Sequence, residues 1–284
     1  WDELRENGVA YVQVDQPALK GTTEWETKSD YELHDYHAAV EKRILGSGWK
    51  CDWKRFTKLG DASFFGVGVP GIVGRSGYPP ATVQDWGNAN LGWWHHSIEN
   101  TTDILDRESL GVHLKVYLGY LWGLLTTPIL PARFTPALKQ MADRLNELAP
   151  QGEPIKLAGA VLAAKDALKA AERLDAAVDV WRRKANIPAE IERTVNGTLK
   201  GLSRILVPLG GTVAGTYGHD PYGLAAQSTL LPGLYDLPRM NSLPHRSEER
   251  ELLFRELIRQ RNRLADSMRE ARDLAGRTAI TIGK

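Results

Sequence analysis

Apolar and polar positions follow two different patterns along the chain, with the change near residue 107. In the first part, short apolar runs stand between loops rich in Gly, Pro and Trp. The run VAYVQVD, Val9 to Asp15, is nearly continuous. It predicts a strand buried on both faces of a parallel sheet and ending at Asp15. ELHDYHAAVEKRIL, residues 32–45, predicts a helix, and SFFGVGVPGIVG, residues 63–74, predicts a second buried strand broken by Gly and Pro. This is α/β patterning, and in open α/β sheets ligands sit beyond the carboxyl ends of the strands. The opening WDELRENG reads as a helix end stopped at Asn7-Gly8. With Trp1 in first place, the chain is expected to be the later portion of a longer polypeptide.

From about Glu108 the period lengthens to that of helices. Leu110, Leu114, Tyr117, Leu121 and Leu125 keep it, as do Leu138, Met141, Leu145 and Leu148. Residues 155–181 repeat it with many alanines, which suits close helix contacts. Pro188 suits the first turn of the next helix, striped by Ile191, Val195, Leu199 and Leu202. A Gly- and Pro-rich stretch, 207–245, precedes a last helix with Ser247 as N-cap and Leu253, Leu257, Leu264, Met268 and Leu274 on one side. The expected fold is therefore α/β over 1–107, then an all-α helical bundle over 108–284 with one irregular insertion.

Composition narrows the function classes. The 284 residues are 42% hydrophobic and 25% charged, as in a globular protein. A formal net charge of +1 gives no bulk attraction to nucleic acid or membrane surfaces. The most apolar run, VHLKVYLGYLWGLLTTPIL, is interrupted by His113 and Lys115 and reads as a buried helix, not a membrane span. The single cysteine, Cys51, excludes an intrachain disulfide and leaves the compartment open.

Candidate chemistry is sparse. Asp15, at the end of a buried strand, needs a cation, a metal or several N–H donors; a cap or salt bridge would also serve. Of seven histidines, only His95 and His96 are adjacent. On an extended segment they would point to opposite sides, so one alone would face a given site. The ordinary alternative is a hydrogen-bonded core histidine beside Trp93 and Trp94. Asp52 reads as a turn or cap acid after a Gly-rich turn. His34 and His37 resemble half a metal site without partner spacing. Nothing marks Cys51 as a nucleophile.

Three segments carry a resemblance. GVAYVQVDQPALKG resembles a strand of the zinc-dependent aminopeptidase and glutamate carboxypeptidase family. GSGWKCDWKRFTKLG resembles its later Gly-Ser segment, with Asp52 and Phe56 in register. HHSIENTTDILD resembles its histidine motif, with His96 on the histidine. The helical half, through ILVPLGGTVAGTYGHDPYG, LPGLYD and the last helix, resembles the dimerisation domain shared by glutamate carboxypeptidase and the transferrin receptor.

The resemblance implies a di-zinc exopeptidase acting on a peptide or small amide. Asp15 would ligate one zinc and His96 the other. The remaining ligands and the general base would come from an upstream segment or partner chain, and the assembly would be a homodimer. His95 stands where the family usually has an oxyanion-steadying tyrosine, so it is the catalytic candidate. Gly48, Arg75 and Tyr222 are the substrate-contacting candidates, with Lys50 a further cation for an acidic group. The family's lysine-tyrosine pair for an acidic substrate terminus is not recognisable between Tyr222 and Pro232, so glutamate specificity is not implied. The alternative is a non-catalytic receptor or scaffold of the same fold.

Overall fold

Trp25, Thr27 and Ser29 are fully buried, whereas Glu24, Glu26 and Lys28 between them are half-buried. That two-residue alternation makes Glu24–Ser29 a strand. The computed structural model describes residues 1–57, 64–221 and 223–283. In chain order its elements begin with α1 (Asp2–Asn7), β1 (Tyr11–Val14), β2 (Glu24–Ser29), α2 (His34–Leu45), β3 (Lys50–Arg55), α3 (Phe64–Val67) and β4 (Gly71–Gly77). They continue with α4 (Pro80–Asp85), α5 (Arg107–Thr126), α6 (Phe134–Leu148), α7 (Ala158–Arg182), α8 (Ala189–Gly211), α9 (Leu237–Ser242) and α10 (Glu248–Ile282). Contacts divide the chain into a sheet unit, Ala10–Phe56 with Gly71–Thr127, and a helical unit, Trp1–Val9 with Thr57–Pro70 and Pro128–Lys284.

In the sheet unit the strand order is β1-β4-β2-β3. β1 runs parallel to β4, β4 antiparallel to β2, and β2 parallel to β3. The carboxyl ends of β1 and β4 therefore share one end of the sheet with the amino ends of β2 and β3. Gly74 in β4 is required by packing: a Cβ there would lie 2.6 Å from the Trp25 ring and 2.9 Å from Tyr120 Oη. α5 crosses this core. Its N-cap Asp106 accepts from the Ser109 amide at 2.7 Å. Tyr117 Oη lies 2.7 Å from the Gln13 carbonyl and 2.5 Å from that of Gly74.

The helical unit holds α6, α7, α8 and α10. Ala160, Ala164, Ala167 and Ala171 of α7 and Ala271 and Ala275 of α10 are fully buried, which lets these two helices pack closely. Ser247 caps α10 by accepting from the Arg250 amide at 3.3 Å, as its position predicts. Arg204 of α8 donates to the carbonyls of Arg5 and Gly68 at 2.6 Å each, and to that of Gly8.

Several expectations need correction. β1 is an edge strand, half-buried, with Val14 60% exposed, because β4 covers only one of its sides. In the run 63–74, Phe64–Val67 is a helical turn and only Gly71 onward is strand; Ser63 lies outside the described residues. β2 and β3 occupy stretches that lack an apolar run. The boundary at 107/108 also shifts. α5 belongs to the sheet unit, while residues 1–9 and 57–70 belong with the helices.

α5 is buried on one side only. His113, Val116, Tyr117 and Tyr120 face inward, while Leu110, Leu114, Leu118, Leu121, Trp122 and Leu125 are exposed. At 100° per residue the exposed six fall within about 120° of the helix circumference, on the flank beyond Tyr117. Tyr117 reaches β1, so this flank borders the open edge of the sheet. Among the described residues no helix is long and apolar enough to cross a membrane.

Candidate functional site

β1 ends at Val14, and Asp15 follows at the carboxyl end of the sheet, half-buried. The chain then turns sharply. Gln16 and Ala18 both adopt left-handed backbone angles, φ 47° and 72°. Non-glycine residues pay conformational strain for such angles, and strain of this kind clusters at functional sites. The segment is pinned by the Lys20 amide on the Ile104 carbonyl (3.0 Å) and the Asp106 amide on the Ala18 carbonyl (2.8 Å). These bonds bring residues 15–20 against the stretch that follows the histidine pair.

His95 and His96 lie in consecutive turns, not on an extended segment. His96 has φ 61°, and this left-handed angle turns its ring back over His95. The rings stack, with centroids 3.8 Å apart and planes 28° apart. The expected divergence of the two side chains is thereby overturned. Neither is a core histidine: His95 is half-buried and His96 exposed.

The Gln16 amide nitrogen lies 2.9 Å from His95 Nδ1 and 3.3 Å from Nε2. The Gln16 amide nitrogen donates, so the His95 nitrogen that pairs with it accepts, and the shorter contact favours Nδ1 for that role. Burial, then the neighbouring His96, hold His95 below its ordinary pKa; Asp15 pulls the other way and Arg75 adds to the lowering. The balance favours the neutral ring, which keeps one N–H to donate. The carbonyl oxygen of the Gln16 side chain is buried without a hydrogen-bond partner.

The other candidates divide. Arg75 stands directly across from Glu26 and pairs with it at 2.9 Å, and Lys54 also binds Glu26. Its guanidinium is thus already engaged by a carboxylate. Lys50 is exposed and pairs with Asp52 (3.0 Å) and Glu24 (3.6 Å). Asp52 is a strand residue in β3, exposed, and not a cap. Gly48 closes a helical turn leading into β3, with open space where a Cβ would stand. Tyr222 lies outside the described residues. Asp15, His95, Gly48 and Arg75 thus stand at or near one end of the sheet, by strand polarity.

A second cluster escaped the sequence reading. His37 and Glu41, one turn apart on the inner face of α2, are both buried, with His37 Nδ1 2.8 Å from Glu41 Oε1. The same oxygen accepts from Thr27 and Tyr120 at 2.6 Å each. Burial opposes the charge, yet these donors hold the Glu41 carboxyl below its ordinary pKa. The i, i+4 spacing was the available signal. Thr27 and Tyr120 were not recoverable, since only the fold brings them there.

Zinc takes four donors in a closed site and three protein donors in a catalytic one. Among the described residues no group of three or more His, Cys, Asp or Glu is placed to hold a metal ion. That holds for Asp15, His95 and His96 as well: the three are not gathered into a metal site by themselves. Compared with protein-family models and with curated proteins, the chain matches none.

Proposed function

We propose that this chain is the C-terminal part of a di-zinc exopeptidase hydrolysing a peptide or small amide. The observation that supports it best is the contact of Gln16, the residue after Asp15, with His95 of the histidine pair. On this reading Asp15 and His96 would each hold one zinc. His95 would donate its ring N–H to the oxygen of the carbonyl under attack. The zinc pair, when bound, supplies Lewis acidity and an activated water. The remaining ligands and the general base belong to an upstream segment or partner chain. The open edge of β1, beside Asp15, and the leucine flank of α5 are the surfaces on which that segment would join.

The test is metal content. The completed assembly should carry two zinc ions, while this chain alone binds zinc weakly. A tight stoichiometric zinc site in the isolated chain would overturn the division of ligands. A second reading, a non-catalytic scaffold of the same fold, is favoured by one feature: the exposed leucines of α5 offer a partner-binding face. A completed assembly that binds no zinc and cleaves no amide would favour that reading.

A further inference from the structure

The sheet unit contains a cavity of about 280 Å³ beside the candidate site. Its walls come from the two segments that carry Asp15 and the histidines, together with the end of β4 and α4. Tyr78, Trp86, Trp94 and Ile104 form its apolar lining, and Lys20 and Asp103 stand among the residues around it. The three aromatic rings contact one another edge to face. Tyr78 and Trp86 are 4.9 Å apart, Trp86 and Trp94 5.1 Å, and Tyr78 and Trp94 6.0 Å, between centroids. Each ring fixes the other two, so the lining is preorganised. It is braced from behind by the Leu19–Leu105 bridge. Leu19, Tyr78 and Trp94 form a hydrophobic cluster of their own, with Val83, Trp86 and Ile104 against it.

Size and charge select the ligand. An apolar cavity of about 150 Å³ holds benzene, and pockets for drug-sized ligands run to roughly 300–1,000 Å³. This cavity falls between them and suits a single side chain. Aromatic walls favour a ring, whose edge or face meets theirs at 4.5–7 Å. The two charges are of opposite sign. A hydrogen bond from Thr101, its own backbone amide and the charge of Lys20 together hold the Asp103 carboxyl below its ordinary pKa. Lys20 and Asp103 thus offset one another, and no net charge is left to draw an acidic or basic group.

We infer that this cavity is a binding subsite for a neutral aromatic side chain, presented by a peptide or amide beside the histidine pair. Its role as a substrate subsite rests on the peptidase reading; the binding itself does not. Titration of the full chain in EDTA, by calorimetry, with N-acetyl-phenylalaninamide and N-acetyl-leucinamide tests it. The phenylalanine amide should bind saturably and about 10-fold tighter than the leucine amide. Trp86→Ala should weaken it by about 10-fold, Trp86→Phe should largely keep it, and Trp53→Phe, outside the cavity, should leave it unchanged. Equal binding of the two amides, no saturable binding, or indifference to Trp86→Ala with the fold intact by circular dichroism would overturn the inference. Binding without hydrolysis in the completed assembly would leave the subsite standing and remove the peptidase. Hydrolysis without aromatic preference would do the reverse.

Discussion

The rings of His95 and His96 stack at 3.8 Å, and the left-handed backbone at His96 puts them there. In the completed enzyme, His96→Ala should empty a zinc site. His95→Phe keeps an aromatic ring over His96 and removes only the N–H donor, so zinc should stay. Turnover should then fall about 10²–10³-fold, the usual effect of losing one oxyanion donor. Zinc content and steady-state rate on both variants decide it. Zinc lost from His95→Phe and kept in His96→Ala would exchange the two roles.

His113 gives the sheet unit a pH-dependent stability. Burial pushes its pKa down to about 4, and Nε2 accepts from Ser76 Oγ at 2.9 Å. An unfolded histidine titrates near 6.5. The contribution of neutral His113 is therefore full above about pH 6.5 and is lost as the pH falls toward about 4. After allowing for screening it amounts to about 2–3 kcal/mol. Denaturant melts of wild type and His113→Phe from pH 7 to pH 4 should converge by that amount; parallel curves would contradict it.

Asp30 and Glu32 carry the opposite slope. Burial pushes Asp30 up to about 7, against the Gly71 amide and Arg55; burial and then the charge of Asp30 push Glu32 up to about 8. Each favours the fold while protonated, below its unfolded pKa near 4. That stability is lost as the pH rises through 7 to 8. Glu32→Gln keeps the shape of the neutral acid. It should match wild type near pH 4 and exceed it at pH 8–9 by about 1–3 kcal/mol. Equal stability at pH 9 would show that Glu32 ionises without cost.

Arg204 holds residues 4–8 and the turn at Gly68 through backbone carbonyls alone. Burial lowers its pKa to about 10, with Arg5 adding to the effect, and it stays charged at neutral pH. A lysine has one nitrogen where the guanidinium has a planar fork. Arg204→Lys should therefore cost about 2–4 kcal/mol, chiefly through carbonyls left unpaired. Thermal melts measure it, and limited proteolysis should cut first within residues 1–9. An unchanged melt would mean that water replaces the fork.

The leucine flank of α5 should drive self-association of the isolated chain at micromolar concentration. Sedimentation of Leu114→Glu with Leu118→Glu should return the monomer, and a completing segment should compete with the self-association. A strict monomer in the unmodified chain would count against both.

The sequence by itself determined the elements whose side chains obey one period. Residues 32–45 and the four long helices of the helical unit were legible because their apolar positions recur every three to four residues. The Ser247 cap was legible because a cap is local chemistry. The stripe of α10 was legible too, but its outlet was not. Leu257, Leu264 and Met268 are buried inside the unit, so the free apolar face is on α5 instead.

Tertiary structure decided the rest. β2 was hidden because its inward positions are Trp25, Thr27 and Ser29, and the two polar ones are made buriable by hydrogen bonds with residues that include Glu41 and Trp53. The edge position of β1 is a property of strand order, which no single strand encodes. At the site, Asp15 and the histidine pair were visible as residues. The contact of Gln16, beside Asp15, with His95 goes with left-handed backbone angles at Gln16 and His96 that L-residues seldom adopt. A local pattern records what each segment prefers; an imposed angle records what the rest of the fold requires of it.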